Sequence, residues 1–139
     1  MAFVAVYDAN VLYPNILRDV LIRVAGAGLV QAKWTETILD ETFRNLRANA
    51  AAIRAKAQVI VTFNLKDFPA EALAPWDVEA VHPDAFLEAQ IDLAPEIVYG
   101  EIQRIADSWT NPPGTVADVI ERLDRNRLVS SAAALRALA

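Results

Sequence analysis

Apolar positions along this chain fall into alternating blocks, and each block predicts an element. Phe3, Val4, Ala5, Val6 and Tyr7 form an unbroken run that stops at Asp8. A short, partly β-branched run bounded by polar residues predicts a strand buried on both faces. Ile16, Leu17, Val20, Leu21 and Val24 then recur at helical spacing behind Tyr13 and Pro14, and proline is pre-set for a first helical turn. Gly26 and Gly28 end that helix. Leu29 to Trp34 partly alternates and predicts a second strand, after which Thr35 caps a helix running to about Arg47. Ala50 to Ala57 is a good helix former. Val59, Ile60, Val61 and Thr62 give the clearest strand signal in the chain. Pro69 to Pro75 predicts a short helix or turn, and Val78 to Val81 a brief last strand. From Asp84 the pattern is helical, broken at Asn111-Pro112-Pro113-Gly114. Thr115 caps the next helix, in which Val116, Val119, Ile120 and Leu123 make one stripe, and Ser130 or Ser131 starts the last.

The 139 residues suffice for one domain with a real core, and 55% of them are apolar. No apolar run reaches the roughly 18 residues of a membrane span, and the N-terminus lacks the pattern of a secretory signal. These features predict a soluble, cytoplasmic protein. Cysteine is absent, which removes disulfides and thiolate chemistry together. The net charge of −5 argues against a strongly basic nucleic-acid binder, yet charge is unevenly spread. Thr42 to Lys66 holds Arg44, Arg47, Arg54, Lys56 and Lys66 and no acid. Such a band suits either a solvated face or a surface for a polyanion.

Candidate chemistry gathers at strand ends. Asp8 falls just beyond the carboxyl end of the first strand, where open parallel sheets collect ligands. The later strand ends in Asn64, Lys66 and Asp67, and Glu41 lies on the intervening helix, sharing a face with Thr37. Acids from two strand ends plus one from a helix suit Mg2+ or Mn2+, which take oxygen ligands. One histidine, His82, and no cysteine make zinc a poor fit. His82 reads as a surface or boundary residue, and Trp34, Trp76 and Trp109 as core.

Three segments together carry a family resemblance: DANVLYP after the first strand, WTETILDE on the second helix, and VIVTFNLKDFP at the later strand end. In this order they resemble the PIN-domain ribonucleases, in particular VapC-type toxins of toxin-antitoxin operons, over about residues 3–88. The resemblance implies an α/β fold with a doubly wound parallel sheet flanked by helices. It divides the chain into a PIN-like domain, residues 1–94, and a helical C-terminal extension, residues 95–139. It also implies Mg2+-dependent (or Mn2+-dependent) cleavage of RNA phosphodiesters. Asp8 corresponds to the family's first acid and Glu41 to its second. Asn64 stands where many relatives have Asp, and Asp67 lies in the same stretch. Metal ligation thus falls to Asp8, Glu41 and Asn64, catalysis to Asp8, Glu41 and Asp67, and phosphate contacts to Arg44, Arg47 and Lys66. The partners implied are an RNA substrate, a cognate antitoxin protein and a second copy in a homodimer.

One departure stands out. The family's third acid precedes the VIVTFNLKDFP strand, and here no Asp or Glu lies between Glu41 and Asp67. The helix of Glu41 runs almost directly into the alanine-rich stretch, so the domain is shortened near residues 45–52. This favours, as the alternative, a catalytically impaired module that binds an antitoxin or itself. A haloacid-dehalogenase type phosphatase is disfavoured, because Asn10 stands where that chemistry wants a second Asp.

Overall fold

Four short strands form one parallel sheet in the order β2-β1-β3-β4. They are β1 (Phe3–Tyr7), β2 (Val30–Trp34), β3 (Val59–Val61) and β4 (Glu79–Val81). This is a computed structural model that describes residues 3–12, 14–34 and 58–139. Glu41, Arg44 and Arg47, with the helices expected near them, lie outside the described residues. The chain is α/β, as the alternation of elements predicts.

β1 is central, with Tyr7 opposite Trp34 of β2 on one side and Val61 of β3 on the other. Ala5, Val6 and Tyr7 are all buried, so the unbroken apolar run reflects burial of both faces. Burial also raises the Tyr7 phenol well above its ordinary value, so it stays neutral at physiological pH. β1 is hydrogen-bonded to β2 on one edge and to β3 on the other, and the strand order turns between β1 and β3. Such a switch point opens a crevice beyond the strand carboxyl ends.

The chain divides into two compact units. Residues Met1–Tyr13 and Val30–Pro83 make the sheet unit, and residues Pro14–Leu29 and Asp84–Ala139 make a helical one. In the sheet unit, Val6, Ile60, Phe68, Leu73 and Val78 form one buried cluster. Leu73 belongs to α2 (Ala70–Leu73), which continues as a 3-10 turn through Trp76.

The helical unit holds α1 (Asn15–Gly26), α3 (Pro83–Leu93), α4 (Pro95–Ser108), α5 (Val116–Arg125) and α6 (Val129–Leu138). The predicted stripes are its core: Ile16, Leu17, Val20, Leu21 and Val24 of α1 are buried, as are Val119, Ile120 and Leu123 of α5. Each such side chain contributes roughly 1.5–3 kcal/mol when fully buried. Glu101 of α4 is buried but paired, with Arg104 and, at 3.9 Å, with Arg23 of α1. Among the described residues no helix is long and apolar enough to cross a membrane.

Both predicted stops and starts have visible causes. Gly28, just past α1, has φ +88°, a left-handed conformation that disfavours side chains. Thr115 and Asp118 make a reciprocal capping box on α5, with Asp118 Oδ2 accepting from Thr115 N at 2.9 Å. α6 begins at Val129, just ahead of both predicted serines. Its first amides are served from afar: Ser130 N and Ser131 N donate to the Asp84 carboxylate at 2.9 and 2.7 Å, and Ser131 Oγ donates to the Asp84 carbonyl at 2.9 Å. A cap brought in by α3 has no local signature, so periodicity alone places this boundary loosely.

Partial burial raises the Asp84 carboxyl, but hydrogen bonds from Ser131 and Ser130 outweigh it and hold the group below the ordinary carboxylate range. A depressed carboxyl stabilises above its unfolded pKa and loses that contribution as pH falls through the folded value. Asp84→Ala is expected to cost about 1–2 kcal/mol at neutral pH, by analogy with helix caps. Urea unfolding at several pH values checks this, with the gap to the parent closing as the pH drops below about 3.9.

Candidate active site

Asp8 leaves β1 fully buried. Its amide continues the ladder by donating to Val61 O at 3.0 Å, and its carbonyl accepts from Val11 N at 3.0 Å. That second bond closes a 3-10 turn over Ala9–Val11, which brings Asn10 back over the strand ends. Thr62 lies just beyond β3 and is also fully buried. Its Oγ1 donates to Asp8 Oδ2 at 2.9 Å and accepts from Asn64 N at 3.0 Å and from Asn10 Nδ2 at 3.2 Å. A hydroxyl has one donor and two lone pairs, so all three capacities of Thr62 are used. Asn10 Oδ1 in turn accepts from Phe63 N at 3.2 Å.

Beyond β3 the chain makes a 3-10 turn, Leu65–Asp67, closed by Asp67 N donating to Asn64 O at 3.1 Å. Asn64 Nδ2 donates to Asp67 Oδ2. Lys66, on the same turn, is exposed. His82 follows β4 half-buried, with its ring edge-to-face against Phe63 at 5.2 Å between centroids. The reading of His82 as a boundary residue agrees with that position.

Of the residues singled out by sequence, Asp8, Asn64 and Asp67 therefore belong to one hydrogen-bonded chain, joined through Thr62. Sequence reasoning gave Thr62 and Asn10 no role. Their signals were slight: a hydroxyl ending an apolar run, and an amide two residues past the acid. Trp109, expected in the core, is only half-buried and carries the Arg122 guanidinium 4.7 Å above its ring.

The donors at the strand ends are carboxylate and amide oxygens, the chemistry that hard divalent cations require. Among the described residues no three His, Cys, Asp or Glu side chains converge as a metal-holding group. Of the expected metal ligands, Asp8 and Asn64 are brought into one network, and Glu41 lies outside the described residues.

Comparison with known proteins bears on this arrangement. Residues 83–137 match the family model described as the VapC50 C-terminal domain, a span that starts with α3 and ends within α6. The chain is also 39% identical over 85 residues to the Mycobacterium tuberculosis protein named "Putative ribonuclease VapC50". In both comparisons the chain is similar to VapC-type proteins. The aligned stretch covers 61% of the chain, which spans about half (50%) of that relative's length. No solved structure matches it.

Thr62→Val keeps shape and removes the hydroxyl, leaving the buried Asp8 carboxylate and the half-buried Asn10 and Asn64 each with one partner fewer. Loss of about 1–3 kcal/mol is expected, read from urea midpoints, with Thr62→Ser restoring most of it. Equal stability of the valine variant would remove Thr62 from its place in the network.

Proposed function

We propose that this chain is part of a metal-dependent endoribonuclease of the toxin-antitoxin kind. The observation that carries the reading is Asp8, fully buried at the switch point and held by Thr62 in one network with Asn64 and Asp67. The likeness to VapC50 supports the same reaction class.

In this reading Asp8 and Glu41 hold Mg2+ or Mn2+, and Asn64 lends an amide oxygen. When bound, the cation supplies activation of water and neutralisation of the charge that builds on the phosphodiester. The chain's own work is orientation. Thr62 fixes the Asp8 carboxylate in one rotamer, Asn10 ties the exits of β1 and β3 together, and the Leu65–Asp67 turn sets Asp67 beside Asn64. Glu41 or Asp67 accepts the proton from the attacking water. Lys66, with Arg44 and Arg47, contacts flanking phosphates of a single RNA strand. An antitoxin protein and a second copy of the chain are the proposed partners, a cytoplasmic location is proposed with them, and the division at residue 94 is kept as a proposed domain boundary.

A second reading rests on the acid-free stretch between Glu41 and Asp67. With one carboxylate fewer around the cation, the module binds its partners and cuts nothing. Cleavage of a mixed RNA pool by the purified chain in Mg2+ or Mn2+ separates the two. The nuclease reading predicts metal-dependent cleavage that falls about a hundredfold or more in Asp8→Asn, in line with the cost of breaking a buried charge pair. Equal, feeble activity in both proteins would leave the binding module in its place.

A further inference from the structure

Within the helical unit a pocket of about 530 Å³ opens between the loop that follows α4 and one face of α5. Trp109, Pro112 and Pro113 line the loop side, and Asp118, Arg122 and Arg125 line the helix side. None of these residues takes part in the chemistry assigned to the strand ends.

The loop is held in shape. Thr110 and Pro113 form an antiparallel bridge, and Gly114 N donates to Trp109 O at 3.3 Å. Gly114 lies so close to the indole that a Cβ there would fall 2.4 Å from Trp109 Cε3. Trp109 is therefore fixed on that side by backbone. Over its ring sits Arg122, its guanidinium 4.7 Å from the ring centroid. A guanidinium held over an indole ring keeps N–H groups that can still donate to another acceptor.

Charge sets this arginine apart from its neighbours. Arg125 is held by Glu121 at 2.7 Å and Arg136 by Asp124 at 3.0 Å. Arg122 takes part in none of the ion pairs among the described residues. The Asp118 carboxylate already accepts from Thr115 N. A pre-positioned guanidinium without a carboxylate partner thus faces a polar pocket whose other wall is a pair of prolines. A planar carboxylate meets such a fork with two parallel hydrogen bonds.

A polyanion fits less well. The helical unit carries seven arginines and no lysine against ten Asp and Glu, and Glu121 and Asp118 stand in the pocket wall. A chain of phosphates would place several charges against these carboxylates, whereas a single carboxylate flanked by an apolar residue places only one.

We propose that this pocket docks an acidic segment of a protein partner, with the Arg122 fork gripping one Asp or Glu side chain of that segment while its apolar neighbour lies against Pro112 and Pro113. Tryptophan and arginine in a preformed pocket are the residues that dominate protein interfaces. No residue of the pocket belongs to the strand-end network, so the proposal does not depend on the nuclease reading.

The test is to pan a random peptide library, displayed on phage, against the full chain and to measure the enriched peptides by fluorescence anisotropy. Enrichment of Asp or Glu next to an apolar residue is expected. Binding should weaken roughly ten- to hundredfold in Arg122→Gln, as for a lost charge-assisted pair, and Arg122→Lys should not restore it. Circular dichroism checks that both variants fold, and their RNA cleavage should match that of the parent. Enriched peptides without acids, equal binding to Arg122→Gln, or an RNA oligonucleotide that perturbs Trp109 while no acidic peptide is enriched would each overturn the proposal.

Discussion

The hydrogen bond from Thr62 Oγ1 to Asp8 Oδ2, 2.9 Å long, is the contact on which the strand-end geometry rests. A carboxylate without solvent exposure carries a desolvation penalty of several kcal/mol unless nearby groups compensate it. Here the compensation comes from the strand next door, which is why β1 and β3 must stay in register at Tyr7 and Val61. Asn10 adds a second tie across the same gap, bonding to both Thr62 and the Phe63 amide. The result is a buried acid whose rotamer is set by backbone pairing, and such preorganisation is what a reacting site requires.

Much of this order is written locally. The runs Phe3 to Tyr7 and Val59 to Val61, the α1 stripe and the Thr115 cap each announce themselves within a few residues, because burial of strand faces and helix stripes leaves a short period. Asp8, Asn64 and Asp67 were legible for the same reason, as polar residues ending apolar runs. Thr62 and Asn10 were not, since their importance is a distance between residues more than fifty positions apart. The cap on α6 was hidden in the same way: Asp84 reaches Ser130 and Ser131 across 46 and 47 positions. Long-range polar contacts carry no periodicity, so a sequence read in windows passes over them.

The two units use polar groups differently. In the sheet unit the buried acid Asp8 accepts from the Thr62 hydroxyl, which itself accepts from the Asn64 amide and the Asn10 side chain. In the helical unit the buried acid Glu101 is neutralised outright by Arg104 and Arg23, and the fold gains a cross-link between α1 and α4. Glu101 is spent on structure. Asp8, in the proposed reading, is the carboxylate kept for a cation.

Titration of the full chain with Mn2+, followed by the electron paramagnetic resonance of the free ion, tests that assignment most directly. The account predicts a Mn2+ site in the parent chain that weakens about a hundredfold or more in Asp8→Asn. Equal binding by parent and Asp8→Asn, or no binding by the parent, would contradict it.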